Sequence, residues 1–188
     1  MLRILVVFGT RPEAIKMTPL IYELQRHPDF ETFICITSQH QQMLKQVIES
    51  FHLQPDFDLK VMTNHQTLTE ITNRVLEGME PILNQLKPDL VLVHGDTTTT
   101  LSVSLASAYQ QIKVGHVEAG MRTHHKYLPY PEELNRRLVG SLADLHFAPT
   151  DKEANHLYRE GISKDSIYIT GNTAIDALCM TIQKNYEH

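Results

Sequence analysis

Very little in this sequence marks it for a specialised environment. Its 188 residues include two cysteines, Cys35 and Cys179, too few for a disulfide framework and without the spacing of a zinc site. Both are expected as reduced core thiols of a cytosolic protein. Positive charge is not in excess: 17 basic residues face 22 acidic ones, for a net charge of −5. The clustered basic footprint of a nucleic-acid partner is therefore missing. No apolar run is long enough to span a bilayer, and the chain opens without a basic stretch or a cleavage site. Neither export nor membrane insertion is expected. Eleven histidines are scattered without HExxH or CxxC…H spacing, so no metal site is read from them. The first loop, FGTRPEAIK, has Gly9 where a dinucleotide-binding protein carries GxGxxG, which argues against NAD or FAD. Internal repeats and low-complexity linkers are absent too, and the length suits one good-sized core.

What is present is a repeated arrangement. Five apolar runs read as buried strands: ILVV (4–7), FICI (33–36), LVLV (90–93), IKVG (112–115) and IYI (167–169). Each hands over to a polar loop: FGTR, TSQH, HGD, HVEAG and ITGNT. Helical periodicity fills the intervals at 12–26, 40–51, 67–86, 97–110, 131–143, 151–160 and 173–184. Strand alternating with helix predicts right-handed βαβ units, hence a Rossmann-like α/β fold whose parallel sheet is covered on both faces. Ligands of such sheets sit outside the carboxyl ends of the strands. Arg11, His40, Asp96 and Glu118 would then face one cleft.

The groups in that cleft suggest a chemistry. Arg11 stands at a helix start, where backbone N–H groups, the dipole and a guanidinium suit an anion, and Lys16 follows one turn later. Asp96 reads either as the N-cap of the next helix or as an ionised base, and the four threonines after it either cap the turn or line the cleft. Glu118 ends a strand and caps nothing obvious. Glu132 and Glu133 begin a helix after two prolines, where acids are favoured anyway. Arg136 and Arg137 read as a solvated face or as partners of those glutamates, and the preceding RTHHKYLPY as a loop free to move. Carboxylates beside a cationic anion site imply proton transfer on a substrate bearing phosphate.

Taken together, FGTRPEAIKMTPL, VHGDTTTT, HVEAGMRT, YPEELNR and TGNTAIDAL resemble the non-hydrolysing UDP-N-acetylglucosamine 2-epimerases of bacteria, from Leu2 to about Leu178. The resemblance implies two Rossmann-like domains in the glycosyltransferase-B arrangement, with the active site between them. Residues 1–172 would be the N-terminal domain and 173–188 the start of the crossover helix, the UDP-binding C-terminal domain lying outside this chain. It implies interconversion of UDP-GlcNAc and UDP-ManNAc through 2-acetamidoglucal for cell-surface polysaccharide precursors, without cofactor or metal, in a cytoplasmic homodimer.

By motif, the acid/base carboxylates fall on Asp96, Glu118 and Glu132, and the first-loop cations on Arg11 and Lys16. A second, activating UDP-GlcNAc would meet Gln39, Gln42, Glu132 and His65; relatives carry Arg at the last position, and histidine titrates near neutrality. The isolated chain is expected to be inactive. A hydrolysing relative that releases UDP and ManNAc, or a non-catalytic fragment that binds a partner, are the competing readings.

Overall fold

The computed structural model describes residues 1–38, 41–63 and 66–182, with Gln41 and Gln42 known by their backbone alone. Strands and helices alternate: β1 (Leu2–Phe8), α1 (Arg11–Arg26), β2 (Phe30–Ile36), α2 (Gln41–Ser50), β3 (Phe57–Asp58), α3 (Leu68–Leu86) and β4 (Leu90–His94). There follow α4 (Thr98–Tyr109), β5 (Lys113–Val117), α5 (Glu132–Leu142), β6 (Leu145–Ala148), α6 (Asp151–Arg159), β7 (Ile167–Ile169) and α7 (Thr173–Thr181). All seven strands form one parallel sheet in the order β3-β2-β1-β4-β5-β6-β7. The chain winds outward from β1 to β3, then returns to the other side of β1 with β4. That reversal opens a crevice between the carboxyl ends of β1 and β4, the usual ligand position in doubly wound sheets.

Side-chain alternation along the strands divides the core. Leu5, Val7, Val91 and Val93 pack under Val75, Met79 and Leu83 of α3 and Val103 of α4. On the opposite face Ile4, Val6, Phe8, Ile34 and Leu92 meet Ala14, Met17 and Ile21 of α1 and Leu44 and Val47 of α2. A smaller cluster of Ala119, Ala148, Ala154, Leu157 and Ile167 seats α6. Helix starts follow local chemistry. Thr67 accepts from the Glu70 N–H while the Glu70 carboxylate accepts from that of Thr67, and Thr97, Thr150 and Asn172 cap α4, α6 and α7.

Two strands escape the sequence reading. β3 has two residues, and β6 interrupts its apolar pattern with the buried His146, so neither makes a recognisable run. The strand expected at 112–115 instead spans Lys113–Val117, drawing His116 and Val117 into the sheet. The α7 helix ends at Thr181, and residues 183–188 of the expected 173–184 helix and crossover lie outside the described residues. Among the described residues no helix is long and apolar enough to cross a membrane.

Gly120 fixes how α6 meets the loop after β5. Its φ is +90°, and a Cβ there would sit 2.3 Å from the Glu153 carbonyl oxygen. Gly120→Ala therefore combines backbone strain with a collision against main chain, and should destabilise the fold by about 2–4 kcal/mol, read as a lowered urea midpoint.

Candidate active site

The carboxyl ends of β4 and β5 deliver charged groups, and the structure shows what holds them. After β4 it is Thr97, not Asp96, that caps α4: its hydroxyl accepts from the Thr100 N–H. The Asp96 carboxylate is therefore free of capping duty. It pairs with Arg136 of α5, while its own carbonyl accepts from Asn135 Nδ2 at 2.9 Å. Arg136 is buried and also reaches the Glu133 carboxylate at 3.4 Å. Of the two readings open for Arg136, a solvated face or a partner of the glutamates, the second holds, and the guanidinium bridges Glu133 to Asp96.

Glu118 leaves β5 in a left-handed backbone conformation, φ +63°, that a non-glycine residue adopts at a cost. Its Oε1 accepts from Lys16 Nζ at 2.5 Å, across the crevice from α1. Its Oε2 faces His94 Nε2 at 3.5 Å, too long for a hydrogen bond. Burial, then the nearby Lys16 ammonium, pushes the His94 pKa down to about 3, so the ring is neutral at pH 7. His116, on the neighbouring strand, is also driven down to about 3, chiefly by burial; its Nε2 bonds the Gly95 carbonyl at 2.6 Å.

Beneath these groups lies a residue the sequence reading passed over. Glu13 is buried, with its carboxylate accepting from the N–H groups of Gly9 (3.0 Å) and Thr10 (2.8 Å) and from the Thr97 hydroxyl (2.7 Å). Burial pushes its pKa up, and these donors oppose the shift. Thr99 and Thr37 place their hydroxyls 3.1 Å apart, and Thr100 bonds the His94 carbonyl. The threonine run therefore fastens α4 to α1, to the end of β2 and to β4. Gly9 admits that approach, because a Cβ would stand 2.1 Å from Thr37 Oγ1.

Lys16 and Glu118 are thus in direct contact, and Asp96 stands at the adjoining strand end, held from the other side by α5. Arg11 joins none of them through an ion pair among the described residues. It is exposed at the start of α1 and borders a cavity of about 690 Å³ between α1, α2 and α7. Glu132 is half-buried in the first turn of α5 and has no polar partner among the described residues. Its neighbour Glu133 is fully buried and accepts from the Thr123 and His124 N–H groups. The loop expected to move freely is pinned at its base by that carboxylate. Gln39, His40 and His65 lie outside the described residues, as does the Gln42 side chain. Among the described residues no cluster of His, Cys, Asp and Glu is arranged to hold a metal.

The class defined by this arrangement is a doubly wound parallel-sheet domain with a polar, charge-paired crevice at its switch point. Comparison with known proteins narrows it. Residues 22–188 match the family model described as UDP-N-acetylglucosamine 2-epimerase. The chain is 55% identical over 187 residues to the UDP-N-acetylglucosamine 2-epimerase of Bacillus subtilis strain 168, covering 100% of this chain and 49% of that relative. An S. aureus MnaA–UDP co-structure superposes with a TM-score of 0.96 at 50% identity, over 100% of this chain and 50% of that one. The Neisseria meningitidis UDP-GlcNAc 2-epimerase bound to UDP-GlcNAc gives 0.91 at 52%, over 95% and 49%. This chain belongs to the UDP-N-acetylglucosamine 2-epimerase family and spans about half the length of these relatives.

The buried groups set two expectations for stability. Unfolded, His94 and His116 take up protons below about pH 6.5; folded, they resist until about pH 3. Between those values the unfolded state binds more protons, so stability falls as pH falls, by about 1.4 kcal/mol per pH unit per histidine. Glu13, its folded pKa raised, works in the opposite sense and offsets part of that slope. Denaturant unfolding between pH 6 and 4 should accordingly show His116→Gln with a shallower decline than the parent chain. Arg136→Met, which leaves the buried Glu133 charge uncompensated, should cost about 3–5 kcal/mol in the same assay at pH 7.

Proposed function

We propose that this chain supplies the proton-transfer wall of a non-hydrolysing UDP-N-acetylglucosamine 2-epimerase. The observation that carries the reading is the Lys16–Glu118 contact at the switch point, with Asp96 at the adjoining strand end. An ammonium and carboxylates so placed suit a substrate that bears an anion next to a weakly acidic C–H. In the reaction, one carboxylate removes the C2 proton of the sugar while the C1–O bond breaks and UDP departs with the electron pair. The product, 2-acetamidoglucal, regains UDP at C1 as a proton returns to the opposite face of C2. Asp96, Glu118 and Glu132 are the proton-transfer candidates, and Lys16 and Arg11 balance the charge on the departing diphosphate.

The family match and the half-length coverage support a division of labour in the glycosyltransferase-B manner. Residues 1–172 carry acid and base, α7 begins the crossover, and a second domain grips the nucleotide. On this reading the 188 residues do not turn over by themselves. An activating site for a second nucleotide sugar at Gln39, Gln42, His65 and Glu132 belongs to the same proposal.

The experiment joins this chain to the C-terminal half of the Bacillus subtilis relative and incubates the fusion with UDP-GlcNAc in D2O. UDP-ManNAc with deuterium at C2 is expected, reduced at least about 100-fold by Asp96→Asn or Glu118→Gln, while the unfused chain gives none. Free ManNAc and UDP would favour a hydrolysing enzyme instead. A folded fusion that yields neither product nor exchange would refute epimerisation.

A further inference from the structure

His94 is the unexplained group of the crevice. Its side chain is 4% exposed, and its Nε2 has no hydrogen-bond partner among the described residues although it points at Glu118 Oε2, 3.5 Å away. A buried polar nitrogen without a partner is expensive, and few persist in folded proteins. Glu118 meanwhile holds an unfavourable left-handed backbone conformation that keeps its carboxylate between Lys16 and His94. Strain and an unmade bond at one point suggest a second arrangement in which the bond is made.

The charges around the carboxylate say what separates the two arrangements. Lys16 faces it from α1 and His94 from β4; His94 in turn feels Lys16, with neutral His116 on the strand beyond. While Lys16 Nζ lies 2.5 Å from Oε1, that ammonium dominates the carboxylate. An anionic ligand competes for the ammonium. Once Lys16 turns towards it, the nearest donor left to Glu118 is the imidazole at Oε2.

We propose that His94 is a positioning residue for Glu118, its Nε2–H taking over the carboxylate when Lys16 turns to an anionic ligand. A neutral donor then keeps the carboxylate oriented without the full electrostatic stabilisation of an ammonium. Glu118 is thereby held in place for proton transfer while the anion occupies the ammonium. This rests on reading Lys16 as an anion-binding residue, but its test needs no turnover, so its failure and that of the epimerase reading are separable.

The test follows the Glu118 carboxyl ¹³C signal against pH in the 188-residue chain, in Lys16→Met, in His94→Phe and in the double variant. With Lys16 present, His94→Phe should move the Glu118 midpoint by no more than about 0.3 pH unit. Without Lys16 the same change should raise it by about one pH unit, and His94→Gln, which keeps an N–H, should restore most of the difference. Equal effects in both backgrounds would overturn the proposal, since a purely structural histidine acts alike with or without Lys16. Should His94→Phe fail to fold, imidazole ¹⁵N spectra of the parent and Lys16→Met chains decide. The expected result is a neutral ring with its proton on Nε2, moving downfield when Lys16 is lost. A proton on Nδ1 in both chains would refute it.

Discussion

The crevice depends on one buried carboxylate. Glu13 is removed from water at the first turn of α1, where desolvation disfavours its charge, and it is acceptable only because donors from two segments converge on it. Gly9 and Thr10 come from the loop after β1, and Thr97 from the start of α4, 84 residues away. Those segments flank the switch point of the sheet. The bond set therefore fixes the opening between β1 and β4, and with it the place from which Lys16 reaches across to Glu118.

A second tie works from the opposite wall. Arg136, in the interior of α5, bridges Asp96 and Glu133, while Glu133 holds the N–H groups of Thr123 and His124. One guanidinium thus links a candidate acid/base group, the helix behind it and the base of the loop before it. Glu118 belongs to neither tie; it is restrained by Lys16 and by its own backbone. Asp96 and Glu118, alike as isolated carboxylates, differ in what a ligand has to displace: a buried guanidinium for one, a partly exposed ammonium for the other.

Much of this was legible in the chain. The helix intervals were readable because caps and periodicity are local: Thr150 before α6 and the stripe from Ile71 to Leu86 lie within single elements. The strand-end positions of Arg11, Asp96 and Glu118 were readable for the same reason. What escaped was decided between distant segments. Glu13 carried no signal of its own in the first turn of α1, His94 opened the polar HGD loop, and Arg136 was divided between a solvated face and a partner for the glutamates; contacts with other elements decided all three. The threonine run divided between two roles at sequence level, and the distant Glu13 and Thr37 settled it as a fastening. Short β3 and histidine-bearing β6 were missed because neither carries an apolar run: β3 is a two-residue edge strand, and β6 sets His146 among its apolar residues.

The strand order has a consequence for biosynthesis. Central β1 pairs with β2 nearby, but its other edge waits for β4, and Arg3 meets Asp89 across a separation of 86 residues. At roughly 5–20 residues per second, ribosomal elongation leaves that edge bare for several seconds. During the interval ILVVF offers unpaired main-chain groups to any passing strand, the circumstance in which nascent β-structure is most prone to mispair. A slow codon stretch before residue 90 would lengthen that window, and a holdase that covers the first strand would close it.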